Sequence, residues 1–121
     1  IYKELDREGF TGARTGDLRG WTGHTLLINM ALTVAQGTAG SHTEVWRRFS
    51  EELIRYIDRT RGGEVTWLLF GKDAQAFAKY IQHGRIVRTS HPSPLSCFRS
   101  TQEVPAFMGS DVFKAVKGIQ W

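Results

Sequence analysis

The sequence predicts an α/β fold, a parallel β-sheet with flanking helices. Three apolar runs of strand length, Thr25–Asn29, Val65–Phe70 and Arg85–Thr89, alternate with two segments of helical period. Glycine-bearing breaks at Gly40, Gly62-Gly63, Gly71 and Gly84 separate them. Strands alternating with helices imply parallel neighbours joined by right-handed crossovers.

Taken in order, Ile1 to Leu5 can start a helical turn, and the Gly-rich stretch to His24 reads as an irregular lead-in. Thr25 to Asn29 reads as a buried strand and Ala31 to Gly40 as loop. Ser41 or Thr43 can cap a helix from Glu44 to about Arg59. Trp46, Phe49, Leu53 and Ile57 make its apolar stripe, and Glu44–Arg48 and Glu51–Arg55 are i,i+4 pairs. Val65 to Phe70 is the second strand. Asp73 can open a second helix through Gln82, with Ala74, Phe77, Ala78 and Ile81 inward. Arg85 to Thr89 is the third strand, and Ser110 caps a last short helix with Phe113 and Val116.

Composition bounds the function. The chain has 121 residues, 40% of them hydrophobic, which suits one globular unit with one core. Its net charge of +4 is compatible with a polyanionic partner. A single cysteine, Cys97, excludes a disulfide framework and a cysteine-rich metal site, and fits an intracellular protein with a buried thiol. No apolar run approaches the ~20 residues of a membrane span, and no signal peptide is visible. The chain opens at Ile1 without methionine, which predicts further residues upstream.

The most informative stretch is His91-Pro92-Ser93-Pro94-Leu95-Ser96. Proline fixes φ and lacks an N–H, and it pushes the preceding residue toward extended backbone. The stretch is therefore a stiff loop able to hold a histidine, two hydroxyls and an apolar tip in fixed relation. By itself it reads equally as a Pro-rich connection after a strand. Ligands of parallel sheets bind beyond the carboxyl ends of the strands. Asn29 ends the first run, Gly71 follows the second and His91 follows the third, so all three are expected on one rim.

With these residues in place, the chain resembles the family 1 uracil-DNA glycosylases. The matching blocks are Leu26 to Val34 (LLINMALTV), Gly40-Ser41-His42, Trp67 to Gln75 (WLLFGKDAQ) and Ser90 to Ser96 (SHPSPLS). Ile1 to Leu5 and Gly16-Asp17-Leu18 also resemble the family's middle region. The resemblance implies a partial three-layer α/β/α domain, with residues 1–121 forming a single unit equivalent to the family's C-terminal half. It implies a DNA-repair hydrolase that flips uracil from DNA and cleaves its N-glycosidic bond, the first step of base excision repair.

Within that resemblance His91 is the catalytic residue, a ring N–H stabilising the charge that develops on uracil O2 as the bond breaks. Asn29 reads uracil, its amide matching the N3–H donor and O4 acceptor, whereas cytosine presents the reverse pattern and leaves polar groups unpaired. Leu95 fills the space vacated by the flipped base. Pro92 and Pro94 stiffen the DNA-facing loop, and Ser93 and Ser96 donate to phosphate, aided by nearby backbone N–H groups. Gly71 and Lys72 belong to the same DNA-facing set. Lysine stands at position 72 where the family commonly has serine, and it can pair with phosphate as a point charge. His42 is assigned capping or local hydrogen bonding, and His24 and His83 turn or surface positions. No His-Glu-x-x-His spacing occurs, and the chemistry calls for no metal or other cofactor.

The family's Gly-Gln-Asp-Pro-Tyr-His segment, with its water-activating aspartate, is not in these 121 residues. The expected outcome of a uracil-release assay on this chain alone is therefore little or no turnover, and appreciable turnover would contradict the assignment of the base. A second reading is a catalytically inactive glycosylase-like module that binds DNA or acts as a scaffold. Three parallel strands also leave two open edges. Another segment, from an upstream half or a second chain, is expected to cover one. The expected partner is uracil-containing DNA rather than a membrane, inside the cell.

Overall fold

A computed structural model describes residues 1–12 and 14–121. Ala13, inside the expected irregular lead-in, lies outside the described residues. The regular elements are α1 (Tyr2–Glu8), α2 (Thr43–Arg61), β1 (Thr66–Phe70), α3 (Gly71–Gln75) and β2 (Arg85–Thr89). Short 3-10 turns occupy Arg19–Trp21, Gly62–Glu64 and Ala78–Tyr80.

β1 and β2 pair in parallel, with Thr66 opposite Arg85 and Phe70 opposite Thr89. Successive side chains of a strand point to opposite faces. Trp67, Leu69 and Ile86 accordingly join a cluster with Ile54 of α2 and Ile81. Leu68, Phe70 and Val87 join a second cluster of Leu5, Cys97, Phe107, Val112, Phe113 and Trp121. Both faces of the pair are covered, which is why Trp67-Leu68-Leu69-Phe70 is a continuous apolar run rather than an alternating one. One layer is α2 with α3. The other is α1 with the turns after Phe107.

The expected third strand is absent: Thr25–Asn29 has no ladder partner, and Leu26 and Leu27 are 66% and 47% exposed. A strand exists only through the hydrogen bonds of a neighbour, and no described segment pairs with this one. The sheet is therefore two-stranded. The second helix stops at Gln75 and gives way to the Ala78–Tyr80 turn, so Asp73–Gln82 is not one continuous helix. Ile81 is still buried, with Ala74, Phe77 and Ala78 packed beside it. No helix follows Ser110, where residues 112–117 form turns and the Ser110 hydroxyl bonds back to the Phe107 carbonyl. At the other end α1 runs longer than expected and reaches Glu8.

α2 also buries a different line from the one expected. Ser50, Ile54 and Asp58 face inward at i,i+4 steps, while Trp46, Leu53 and Ile57 flank them and Phe49 is 48% exposed. Ser50 faces inward because its hydroxyl donates to the Met30 carbonyl at 2.8 Å. Asp58 does so because it receives donors from residues 82–84. Neither expected cap bonds the helix: Ser41 Oγ accepts from Ala35 N–H at 2.8 Å, and His42 holds the N-cap position with no side-chain bond to the helix's first amides. Glu44 pairs with Arg47 rather than Arg48, and Arg55 pairs most closely with Glu52, at 2.7 Å, with Glu51 at 3.9 Å. Among the described residues no helix is long and apolar enough to cross a membrane.

Candidate nucleic-acid interface

Because β1 and β2 are parallel and end in register, the residues that follow them emerge on one rim. Gly71 has φ +81°, a left-handed conformation that glycine adopts without penalty. A Cβ built there would lie 3.0 Å from His91 Cβ. Glycine at this position therefore lets the turn after β1 close against the histidine after β2. Gln75 fastens the same corner, its Nε2 donating to the Thr89 carbonyl at 2.7 Å. Sequence reasoning did not single Gln75 out. Its signal was a polar residue one turn into α3 on the side of the incoming strand.

The loop itself folds into a tight turn. Ser96 N–H and Cys97 N–H both donate to the Ser93 carbonyl, at 3.0 and 2.9 Å, and Arg99 N–H donates to the Ser96 carbonyl at 2.8 Å. Cys97 is buried in the core beneath, as expected of a lone cysteine here. Leu95 is 79% exposed at the tip, and Phe98, three residues on, is 76% exposed. The sequence reading passed over Phe98; its signal is an aromatic residue beside a buried Cys97 in a turn, where neighbouring side chains face opposite ways.

The histidine's tautomer follows from geometry. Ser93 N–H donates to His91 Nδ1 at 3.1 Å, so that nitrogen offers its lone pair and the neutral ring carries its proton on Nε2. Nε2–H has no protein acceptor among the described residues, and the side chain is at the surface. The imidazole is thus held by a backbone amide with its free donor pointing away from the loop.

The hydroxyls of Ser93 and Ser96 lie 3.5 Å apart, half-buried. The expected supply of backbone N–H groups for phosphate is smaller than the sequence suggested. Pro92 and Pro94 have none, and those of Ser93 and Ser96 are used inside the loop. Within 92–96 that leaves the two hydroxyls and the Leu95 amide. Lys72 is exposed directly after Gly71.

The structure thus joins Gly71, His91, Ser93 and Ser96 in one corner. Asn29 is exposed and makes no side-chain hydrogen bond among the described residues. It is seated by its neighbour Met30, which packs against the Ile54–Leu69–Ile81 cluster. Two surface hollows, of about 540 Å³ beside Asp58 and His83 and about 310 Å³ beside Tyr2 and Trp21, are lined by neither Asn29 nor His91. His42 makes the local bond expected of it, its Nδ1 lying 2.9 Å from the Thr33 hydroxyl oxygen, which also accepts from Trp46 Nε1 at 2.7 Å. His83 is exposed, yet its Nδ1 lies 3.0 Å from buried Asp58.

Comparison with known proteins gives the family. Residues 2–115 match the family model described as the uracil DNA glycosylase superfamily. The uracil-DNA glycosylase of Vibrio campbellii is 37% identical over 98% of this chain and 52% of its own length. The human uracil-DNA glycosylase is 40% identical over 82% of this chain and 33% of its own length. Among solved structures, a mimivirus UNG variant in complex with UGI superposes with a TM-score of 0.84 at 25% identity, covering 95% of this chain and 48% of that one. Mimivirus uracil-DNA glycosylase does so with a TM-score of 0.71 at 26% identity, over 80% and 37%. The chain spans about half the length of its bacterial relatives. A family match over residues 2–115, with curated relatives 37–40% identical along most of the chain, places the chain in the uracil DNA glycosylase superfamily.

Proposed function

We propose that this chain is the leaving-group, base-reading and DNA-gripping part of a uracil-DNA glycosylase, residues 1–121 forming one unit of that domain. The observation that carries the reading is the His91 corner, where a backbone amide fixes the ring with Nε2–H free. That N–H donates to uracil O2 as negative charge gathers there, an interaction strongest in the transition state. Asn29 selects uracil by its amide. Leu95 enters the duplex where the base has left, and the hydroxyls of Ser93 and Ser96 with Lys72 hold phosphates on either side. Activation of the attacking water comes from a segment outside this chain. The enzyme acts inside the cell, where its DNA is.

The test is fluorescence anisotropy with duplexes carrying one uracil, one abasic site or only normal pairs. The uracil and abasic duplexes are expected to bind at least about tenfold more tightly than the normal one. Equal affinity for all three would sink the reading. Lys72→Ser is expected to weaken binding to every duplex alike and to lower the slope of log affinity against log salt by about 1, the signature of one phosphate contact.

A covering segment is part of the same proposal. The two-stranded sheet has open edges, and Leu26, Leu27, Leu32, Val34 and Phe49 are 47–66% exposed. These features and the half-length match support a further portion of the domain, upstream or on a second chain, that pairs with an edge and covers these side chains. By size-exclusion chromatography the chain alone is then expected to self-associate. A well-behaved compact monomer would count against the idea.

A further inference from the structure

Both ends of the DNA-facing loop are fastened to one short stretch of chain. At the leading end, Ser90 N–H donates to the Pro105 carbonyl at 3.0 Å, and Phe107 N–H donates to Ser90 Oγ at 3.0 Å. At the trailing end, Met108 N–H donates to the Cys97 carbonyl at 2.9 Å. Residues 105–108 therefore form a strap across the base of the His91–Ser96 loop. Fully buried Phe107 keys the strap into the core, packing edge-on against Phe70 at the end of β1 and against Phe113.

The chain that continues directly from the strap, residues 109–114, is held by two buried carboxylates on α1. Glu4, 0% exposed, accepts from Gly109 N–H at 2.9 Å through Oε2 and from Asp111 N–H at 3.3 Å through Oε1. Glu8, one turn later and 5% exposed, accepts from Phe113 N–H at 3.2 Å and Lys114 N–H at 2.6 Å. Arg7 joins the two segments again, donating to Glu4 and, at 2.9 Å, to Asp111 Oδ1. Buried carboxylates are costly to keep; donors on both oxygens outweigh that cost at Glu4 and offset part of it at Glu8. Four such donors from one six-residue stretch make a specific clamp rather than a general contact.

We propose that Glu4 and Glu8 are positioning residues for the His91–Ser96 loop: they fix the 105–114 segment, and that segment fixes both loop ends. The proposal rests on the glycosylase reading only for what the loop touches. Shifting the strap moves Ser90 and Cys97, and with them the angle at which His91 Nε2 and the Leu95 tip are presented. Helix α1 thereby controls the DNA-binding rim through the 105–114 segment.

Backbone amide hydrogen exchange on the chain provides the test, using Glu4→Gln, Glu8→Gln, Ser90→Ala and Ser90→Thr. Should Glu4→Gln leave no folded chain, Ser90→Ala carries the test, because it removes one strap bond and no charge. Ser90→Ala and Glu8→Gln are expected to speed exchange at Cys97, Arg99 and Met108 about tenfold, the scale of one lost hydrogen bond. Amides of α2 and of the β1–β2 ladder are expected to stay as they were. Affinity for an abasic duplex is expected to fall about tenfold alongside, and Ser90→Thr is expected to restore both readouts. Unchanged loop exchange in both variants overturns the proposal, as does a uniform rise across all amides, which is the mark of a merely structural role. A loosened loop with unaltered DNA affinity also overturns it. Since exchange is read without DNA, failure of the parent chain to bind uracil duplexes is a separate result that bears on the glycosylase reading alone.

Discussion

Replacing Asp58 by alanine is expected to remove about 3–5 kcal/mol of folding stability, the scale seen when one partner of a buried charged contact is deleted. Asp58 is 3% exposed, and its carboxylate accepts from the backbone N–H groups of Gln82, His83 and Gly84 at 2.7–3.2 Å and contacts the His83 ring at 3.0 Å. One side chain of α2 thereby closes the turn that feeds β2. Alanine leaves those amides facing a void, and each unpaired buried donor costs about 1–3 kcal/mol. Asparagine keeps one acceptor oxygen and is expected to cost roughly half as much. Urea unfolding followed by tryptophan fluorescence measures both. A loss below about 1 kcal/mol for the alanine variant would show that water replaces the carboxylate.

The same group makes stability fall in acid. Burial alone pushes the Asp58 carboxyl up, but the N–H groups of Gln82, Gly84 and His83 and the His83 ring outweigh it and hold the carboxyl at about 2, against an ordinary 3.8. Glu4 behaves alike: burial raises it, and Arg7 with the Gly109 and Asp111 amides brings it to about 2 from 4.5. Both values are depressed in the fold, so on acidification the unfolded chain takes up these protons first. Their contribution is complete above about pH 4.5 and is lost as pH falls toward about 2, roughly 2–3 kcal/mol for each. Glu8 opposes this, because burial pushes its carboxyl up and its ionised form weakens the fold as pH rises through that raised value. Glu4→Gln with Asp58→Asn is expected to flatten the acid limb of a stability-against-pH curve.

Leu95→Ala is expected to weaken binding to a uracil or abasic duplex about 10- to 100-fold while leaving folding stability within about 0.5 kcal/mol of the parent. The side chain is 79% exposed, so its removal costs the free protein almost no packing. In the proposed complex it fills the gap left by the base, and burying a leucine contributes about 1.5–3 kcal/mol. Affinity for a duplex of normal pairs is expected to change little, since no gap is open there. Equal losses on damaged and normal duplexes would mean that Leu95 makes a surface contact rather than a wedge. Under the proposed function this variant is the counterpart of Asp58→Ala: Leu95 would serve only the ligand, whereas Asp58 serves the fold.

What could be read from the sequence was what is local. The strands Thr66–Phe70 and Arg85–Thr89 and the body of α2 were visible because apolar runs, helical spacing and glycine breaks act over a few residues. The stiffness of the proline loop and the exposure of its leucine follow equally from neighbouring residues. The four matching blocks carried the family. Thr25–Asn29 was misread because an apolar run says nothing about whether a neighbouring strand exists to pair with it. The turns after Ser110 were misread because docking onto Glu4 and Glu8, 105–107 positions earlier, decides their shape rather than helix propensity.

The inward face of α2 went unseen for a related reason. Hydrophobic spacing ranks Phe49 above Ser50 and Ile57 above Asp58, yet the polar residues are buried because the fold brings them donors and acceptors from far along the chain. Which imidazole nitrogen of His91 bears the proton was likewise undetermined until Ser93 N–H was found pointing at Nδ1. Sequence by itself set the local elements, the loop and the family. Tertiary structure alone decided which buried charges are neutralised, which run lacks a strand partner and which nitrogen of His91 is left free to donate, because each of these depends on hydrogen bonds whose direction or far partner no local pattern encodes.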